Sequence, residues 1–394
     1  MRNLMKLRWR VAFLPFLALL PIVALAQGRG GGGGGGGTPL PPSAIYYTYQ
    51  GALWQVDQSG QHTVALSSAA TDWLRTQDDS GLVQPVPSGR LYNGQRLYLW
   101  MGAREDNAHY FDDPNKVRIR EFYVGVPSVW GVRLTDLWGD DQLMPETDVY
   151  AIACWSGDHN DQFISLIAHD RYPGGTSQTY IVRIPFDVNA VLSGDATAIA
   201  VAWASRITIE IPNYTLWHRW SPDNQTVLYH HNEQVGSSTW QAHFYRYRLG
   251  DSQSTLVWTD NLYTLGAEYT PQWSPDLDPN TAGYQGRIAF SRMGTVGSIE
   301  RQILTIPAEA QGLVGVQGAT VVLTAKGHAY FQPHWEPSNG SQLAIRDRTI
   351  KGSDSSKWPY NILRLNLGTG STTNLTGNLD QLSQKMIVEW RPVP

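Results

Sequence analysis

The chain has 394 residues, with 30 Lys and Arg against 34 Asp and Glu, a formal charge of −4 and only 16% charged residues. That balance leaves no basic face for nucleic acid, and the single cysteine, Cys154, excludes an intrachain disulfide. Apolar residues at 42%, with 38 Gly, 16 Trp and 19 Tyr, predict a soluble all-β protein rich in turns.

The first element is an address. Arg2, Lys6, Arg8 and Arg10 precede an apolar run from Val11 to Ala26 that closes on Ala24-Leu25-Ala26. This predicts a signal peptide over 1–26, cleaved before Gln27, and a mature chain without a transmembrane span in the periplasm or outside the cell. The run is short for a bilayer span and is broken by Pro15 and Pro21, which leaves an uncleaved anchor as the alternative. No cysteine lies near the cleavage point to carry a lipid. Gly30 to Gly37 and the Thr-Pro-Leu-Pro-Pro after it predict a disordered linker over 27–44, because such a stretch cannot bury enough surface to offset its ordering entropy. No strand precedes the tract and no Gly-Lys-Ser/Thr follows it, so it does not read as a phosphate loop.

Residues 45–394 read as one domain of repeated strand–turn–strand units. Ile45–Tyr49, Leu53–Val56 and His62–Leu66 predict three strands of a unit that lacks its first. A second unit follows in Leu82–Val86, Gln95–Trp100 and Arg120–Val124, and a third in Ala153-Cys-Trp-Ser-Gly-Asp158, Gln162–Ala168 and Tyr180–Ile184. The fourth is the most regular: Leu216–Trp220, Thr226–His230, His243–Leu249 and Thr255–Trp258. Glu268 to Thr324 and Tyr330 to Thr376 give the fifth and sixth, and helical periodicity is hard to find anywhere. The chain stops on Met386–Pro392, a first strand without the other three. Joining it to the N-terminal strands predicts an all-β, six-bladed β-propeller closed by its own termini, a closure that removes open sheet edges. Trimming the last ten residues should therefore harm the fold far more than trimming the glycine tract.

The repeated residues are Trp155, Trp220, Trp273, Trp335 and Trp390, with Pro222, Pro275, Pro337 and Pro392 two positions after the last four. Each Trp is expected to wedge between neighbouring sheets, and each Pro to stand where the strand leaves the ladder and no donor is needed. Pro271-Gln-Trp-Ser-Pro-Asp276 followed by Ile288-Ala-Phe-Ser291, and Asn374-Leu-Thr376 leading to Trp390, resemble the TolB-type six-bladed propellers with their WD40-like Trp-Ser-Pro-Asp repeats. The resemblance covers 45–394 and is most specific in the fourth to sixth units. It implies an exported, periplasmic propeller that acts by protein binding, as TolB-type propellers bind a peptidoglycan-associated lipoprotein.

Signs of catalysis are thin. Six histidines, His218, His230, His231, His243, His328 and His334, fall in the second half, but none forms a His-Glu-x-x-His or His-x-His pattern, and His230 and His231 must face opposite ways on a strand. Asp276-Leu-Asp278-Pro-Asn280 and Gly157 to Asp161 read as turns before they read as calcium loops, and no metal or cofactor is expected. There is no Gly-x-Ser-x-Gly elbow for a serine hydrolase, whereas carboxylates meeting from different blades leave no trace in spacing. Cys154 lies in an apolar run and reads as a small buried residue. The residues before the repeated tryptophans, Arg219, Gln272, His334 and Glu389, are candidates for a mixed-charge ring at a channel mouth, or else for hydrogen bonds between blades. The expected function is a monomeric, non-catalytic propeller that binds a protein or cell-envelope component through its loops, notably 106–116 and 134–148. The second reading is a polysaccharide lyase or glycan-binding propeller, drawn from tryptophans outside the repeats: Trp130, Trp138, Trp217, Trp240 and Trp358.

Overall fold

The computed structural model describes residues 43–77, 85–103, 120–134, 144–145, 153–170, 178–213, 215–236, 240–261, 269–275, 286–295, 298–338 and 340–393. The signal segment, the linker up to residue 42, most of both insertions and the turn Asp276–Asn280 lie outside them.

Antiparallel meanders account for nearly all of the regular structure, in a β-propeller arrangement. The first sheet runs, in spatial order, Met386–Pro392, Ser43–Tyr49, Ala52–Asp57 and His62–Leu66. The second is Val86–Tyr92, Gln95–Ala103, Arg120–Val126 and Trp130–Arg133. Two-residue hairpins make these meanders tight, and both use the left-handed backbone that favours glycine: Gln50-Gly51 at φ 48° and 75°, Asn93-Gly94 at φ 50° and 77°. The third sheet places Ala153–Trp155 and Met144–Pro145 on Phe163–Asp170, followed by Gln178–Pro185 and Ile207–Ile211. The fourth is Thr215–Trp220, Thr226–Gln234, Trp240–Arg248 and Thr255–Thr259, with the short Leu313–Val314 added in parallel.

The strands thus form five hydrogen-bonded sheets among the described residues, where the sequence predicts six blades. The cause is local. One parallel bridge, Arg301 to Ala329, fuses the unit Gln272–Trp273, Arg287–Met293, Arg301–Pro307 and Thr320–Leu323 to the unit His328–Trp335, Gln342–Thr349, Tyr360–Asn366 and Thr372–Asn374.

Helices are the clearest departure from expectation: Ser68–Gln77, Val188–Ser193 and Ala196–Ala204. The last two are short and sharply started, with Asp187 and Asp195 accepting from two backbone N–H groups each. Ala196-Thr-Ala-Ile-Ala-Val-Ala-Trp-Ala204 has the propensity for a helix, and its Ile199 and Trp203 are buried. These two helices delay the fourth strand of the third sheet, Ile207–Ile211, which the sequence reading left unassigned.

Cores lie between successive sheets. Tyr46, Leu53 and Leu66 pack with Tyr98 and Trp100, and Phe244 and Trp258 with Ile288, Phe290 and Leu304. Ala289 and Ile303 join Trp335 and Leu343, and Ile45, Tyr47 and Val56 join Ala344, Ile362 and Trp390. A buried ion pair also crosses one gap: Arg292 Nε donates to Asp260 Oδ1 at 2.9 Å, and Tyr269 Oη donates to Asp260 Oδ2 at 2.6 Å.

The repeated motif does more than wedge. Trp273 Nε1 donates to Arg219 O at 3.1 Å, Trp335 Nε1 to Gln272 O at 3.0 Å and Trp155 Nε1 to Val86 O at 3.0 Å. Each indole therefore reaches the strand that opens the preceding unit, giving the apolar wedge a directional anchor. Trp390 differs and donates to Ser43 Oγ at 2.9 Å, within its own sheet. In the turns, Asp223 accepts from Ser221 Oγ and Gln225 N, as the motif requires. Where the motif reads Trp335-Glu-Pro-Ser338, the roles exchange and Ser338 donates to Glu336. Gly157 stands where the other motifs have Pro for two reasons: its N–H donates to Asn224 Oδ1 at 2.9 Å, and a Cβ there would lie 2.2 Å from Ser221 O.

The first and last strands pair over Ser43↔Pro392, Ala44↔Arg391, Ile45↔Trp390 and Tyr46↔Glu389, then through a bulge to Tyr47↔Ile387. Just before the last strand, Lys385 is fully buried, and its Nζ donates to the carbonyls of Tyr360 at 3.0 Å, Asp380 at 2.5 Å and Ser383 at 3.2 Å. Trp390→Ala should cost about 3–5 kcal/mol in chemical denaturation, the range for truncating a buried aromatic. Removal of residues 385–394 should abolish the cooperative thermal transition read by near-ultraviolet circular dichroism. A truncated chain that still melts in one sharp step would contradict the role given to this strand.

Candidate functional site

Beta-bulges shape the opening strands. The register slips between Thr215 and Trp217, between Phe331 and His334, and opposite Tyr46 and Tyr47 on the last strand. Each slip lies within a few residues of a repeated Trp and bends the strand there, re-aiming the side chains that follow. At the second, Gln332 takes a left-handed φ of 48° immediately before Pro333, and Thr270 before Pro271 does the same at 38°.

These strands surround a cavity of about 250 Å³. Of the four residues expected at a channel mouth, Arg219, Gln272 and Glu389 line it. His334 does not; it sits behind Glu389, its Nδ1 3.3 Å from Oε1. Trp155, Trp220, Trp273, Trp335 and Trp390, with Pro222, Pro275 and Pro337, also line it, while Pro392 pairs with Ser43 at the strand end.

Six further residues line the cavity: Ser156, Gly157 and Asp158 in the turn after Trp155, and three more whose positions carry a signal in the sequence. Cys154 precedes Trp155 as Arg219 precedes Trp220, so it occupies the same place in the repeat. Arg391 lies two residues beyond Glu389 on one strand and therefore shares its face. His159 arrives from the turn after Trp155, with a left-handed φ of 58°.

Glu389 is the electrostatic hub. Its carboxylate lies 3.7 Å from Arg219 Nη2, 3.5 Å from Arg391 Nη2 and 3.3 Å from His334 Nδ1, with all four side chains buried. Burial alone would raise its pKa; Arg391, the His334 hydrogen bond and Arg219 together outweigh that and hold it well below the usual carboxylate range. Arg219 also donates to His218 O at 3.1 Å and covers the Trp217 ring, its guanidinium carbon 4.1 Å from the ring centroid. Arg391 Nη1 donates to His159 Nδ1, which makes that nitrogen the acceptor. Burial and then Arg391 push His159 down to about 3, so it is neutral.

Cys154 Sγ and Ser165 Oγ lie 3.4 Å and 2.9 Å from His218 Nε2. This Cys–His pair is not activated: burial raises the thiol to about 11, and burial followed by Arg219 lowers His218 to about 3. Of the other histidines, His230 packs edge-on against Phe244 and Tyr269, while its neighbour His231 faces His243 across the ladder. His243 lies 3.0 Å from Glu233, and His328 Nδ1 lies 2.8 Å from Asp347. Among the described residues no three His, Cys, Asp or Glu side chains are placed to hold a metal ion. Trp217 and Trp358 are buried and donate to the carbonyls of Pro271 and Lys351, Trp130 and Trp240 are half-buried, and Trp138 lies outside the described residues.

No family model and no curated protein matches the chain. Among solved structures it is similar to an oligogalacturonate lyase from Vibrio parahaemolyticus at 10% identity and TM-score 0.41, over 85% of this chain and 71% of that one. It is similar to an acylaminoacyl peptidase from Pyrococcus horikoshii at 9% identity and TM-score 0.40, over 75% of this chain and 40% of that one, less than half its length. For the β-propeller domain of the Trilobed protease from Pyrococcus furiosus the values are 8% and 0.35, over 86% and 95%. Likenesses this distant carry nothing about activity. Among the described residues, no helix is long and apolar enough to cross a membrane.

Two outcomes follow from the site's electrostatics. Glu389→Gln leaves Arg219 and Arg391 buried without their counter-charge and should cost about 3–5 kcal/mol in denaturant unfolding. His218 and His230 have folded pKa values near 3, both lowered first by burial, against 6.5 for a free imidazole. Between those values the unfolded chain binds more protons than the folded one, so stability rises with pH across that window and falls on acidification, by at most about 1.4 kcal/mol per histidine per pH unit. The melting temperature should therefore drop from about pH 7 to about pH 5. An unchanged value would show that these side chains take up protons freely in the folded state.

Proposed function

We propose that the chain is an exported six-bladed β-propeller that works by binding, and that it holds a protein or a cell-envelope component at the face where Arg219, Gln272, Glu389 and Arg391 surround the cavity. Six units result when the lone Arg301 to Ala329 bridge is taken as a contact between two neighbouring four-stranded blades. The pairing of Ser43–Tyr49 with Met386–Pro392 then joins the two ends of the ring. The Trp-x-Pro repeat and its resemblance to TolB-type propellers support the same architecture. The charged and apolar stretches of residues 1–26 support export, with residues up to 42 as a tether and the propeller as a monomer.

One observation carries the binding reading: three groups that line the cavity are each held in one protonation state. Glu389 is held ionised by its partners, His159 is held neutral and the Cys154 thiol is raised to about 11. General acid–base chemistry is most effective with a group whose pKa lies near the working pH, and these three lie far from neutrality. Fixed charges and buried donors suit recognition instead. The carbohydrate-active reading has less support, since Trp217 and Trp358 are committed to packing and to backbone hydrogen bonds.

The test is capture from a cell-envelope extract by the immobilised chain lacking residues 1–26. A second capture uses Gln272→Phe, which carries a ring into the cavity without adding charge, after its melting temperature is shown to match the parent. The proposal expects one component enriched by the parent and lost by the variant. Equal recovery by both, or turnover of an envelope polysaccharide by the parent, would overturn it.

A further inference from the structure

Four N–H groups on residues lining the cavity have no hydrogen-bond partner: Arg219 Nε, Trp220 Nε1, Arg391 Nε and Gln272 Nε2. Their residues are 8%, 3%, 2% and 7% exposed. Buried donors are rarely left unpaired, because each one forfeits the hydrogen bonds it made in water. Four around one cavity, contributed by three strands, point to a ligand that brings the acceptors, and the two guanidinium groups and the amide are the polar side chains among them.

The neighbouring acceptors narrow the chemistry. Glu389 is already taken by Arg219, Arg391 and His334, and His159 Nδ1 by Arg391. Asp158, also on the wall, accepts from Ser156 Oγ, Asn160 N, Asn160 Nδ2 and Gln162 Nε2 within its own turn. A ligand presenting hydroxyl or amide donors would find the wall's carboxylates and imidazole occupied. An ionised carboxylate is acceptor-only, and its two oxygens match guanidinium and amide N–H groups. A phosphate dianion would carry a second charge toward two carboxylates on the wall.

We infer, resting on the binding reading above, that the cavity receives a carboxylate group, with Arg219 Nε, Arg391 Nε and Gln272 Nε2 donating to its oxygens. The carboxylate comes either from a peptide or from a sugar acid. In both cases Gln272 is a specificity-determining residue, since it supplies the neutral donor that Glu389 does not engage.

Calorimetric titration of the purified protein tests this with two matched pairs: N-acetylglycine against N-acetylglycinamide, and glucuronate against glucose. The acid of at least one pair should bind about tenfold or more tightly than its neutral partner, and the pair in which this holds identifies the source. Gln272→Leu should weaken that acid by about tenfold while the melting temperature stays at the parental value. If the neutral partners bind as well as the acids, or if Gln272→Leu leaves the acid's affinity unchanged, the carboxylate inference fails while the binding reading stands. Absence of binding by all four, together with failure to capture any envelope component, removes both.

Discussion

Antiparallel pairing of Ser43–Tyr49 with Met386–Pro392 is the constraint on which the rest of the structure depends. It fixes an unpaired chain end in the ladder of the first sheet and puts Trp390 into a shared core with Ala344, Ile362 and Tyr47. The same register sets Tyr46 opposite Glu389 and Ala44 opposite Arg391. A slip of one residue would turn both charged side chains to the other face and take the hub out of the site. Fold and site therefore share one strand. The Lys385 ammonium, surrounded by three backbone carbonyls, anchors the loop that delivers it.

Buried charge is costly unless it is paired, and the cavity shows how the cost is met. One carboxylate answers two guanidinium groups, one histidine reinforces it, and a second, neutral histidine accepts from Arg391. These partners come from turns and strands far apart in sequence, so the site exists only when the sheets are assembled. Charges held this way are preorganised: they need no rearrangement when a ligand of the right polarity arrives. The same pairing keeps Glu389 ionised near neutral pH, so recognition fits this geometry better than proton transfer at that carboxylate.

Much of the fold was legible because the repeat is written in residues with mechanical roles. Trp marks each opening strand, Pro or a functional substitute marks its exit, and a short polar side chain closes the turn, even where Glu336 and Ser338 exchange roles. The alternation rule puts Arg219, Gln272, His334 and Glu389 at equivalent places in the repeat; three of them line the cavity and His334 meets it through Glu389. Arg391 shares the face of Glu389 because period two applies beyond each Trp as well as before it. The helices Val188–Ser193 and Ala196–Ala204 are too short to show a helical period, and only their aspartate caps and the alanine run mark them in the sequence. The count of hydrogen-bonded sheets turns on one bridge between Arg301 and Ala329, and a single backbone contact leaves no mark in composition or spacing.

Amide hydrogen exchange, followed by peptide mass across residues 43–49 and 386–392, tests the central pairing most directly. Paired strands at the heart of a cooperative domain exchange only through global opening, so both segments should be protected together and released with the same dependence on denaturant. Fast exchange in 386–392, at the rate of a frayed terminus, while 43–49 stays protected would contradict the account.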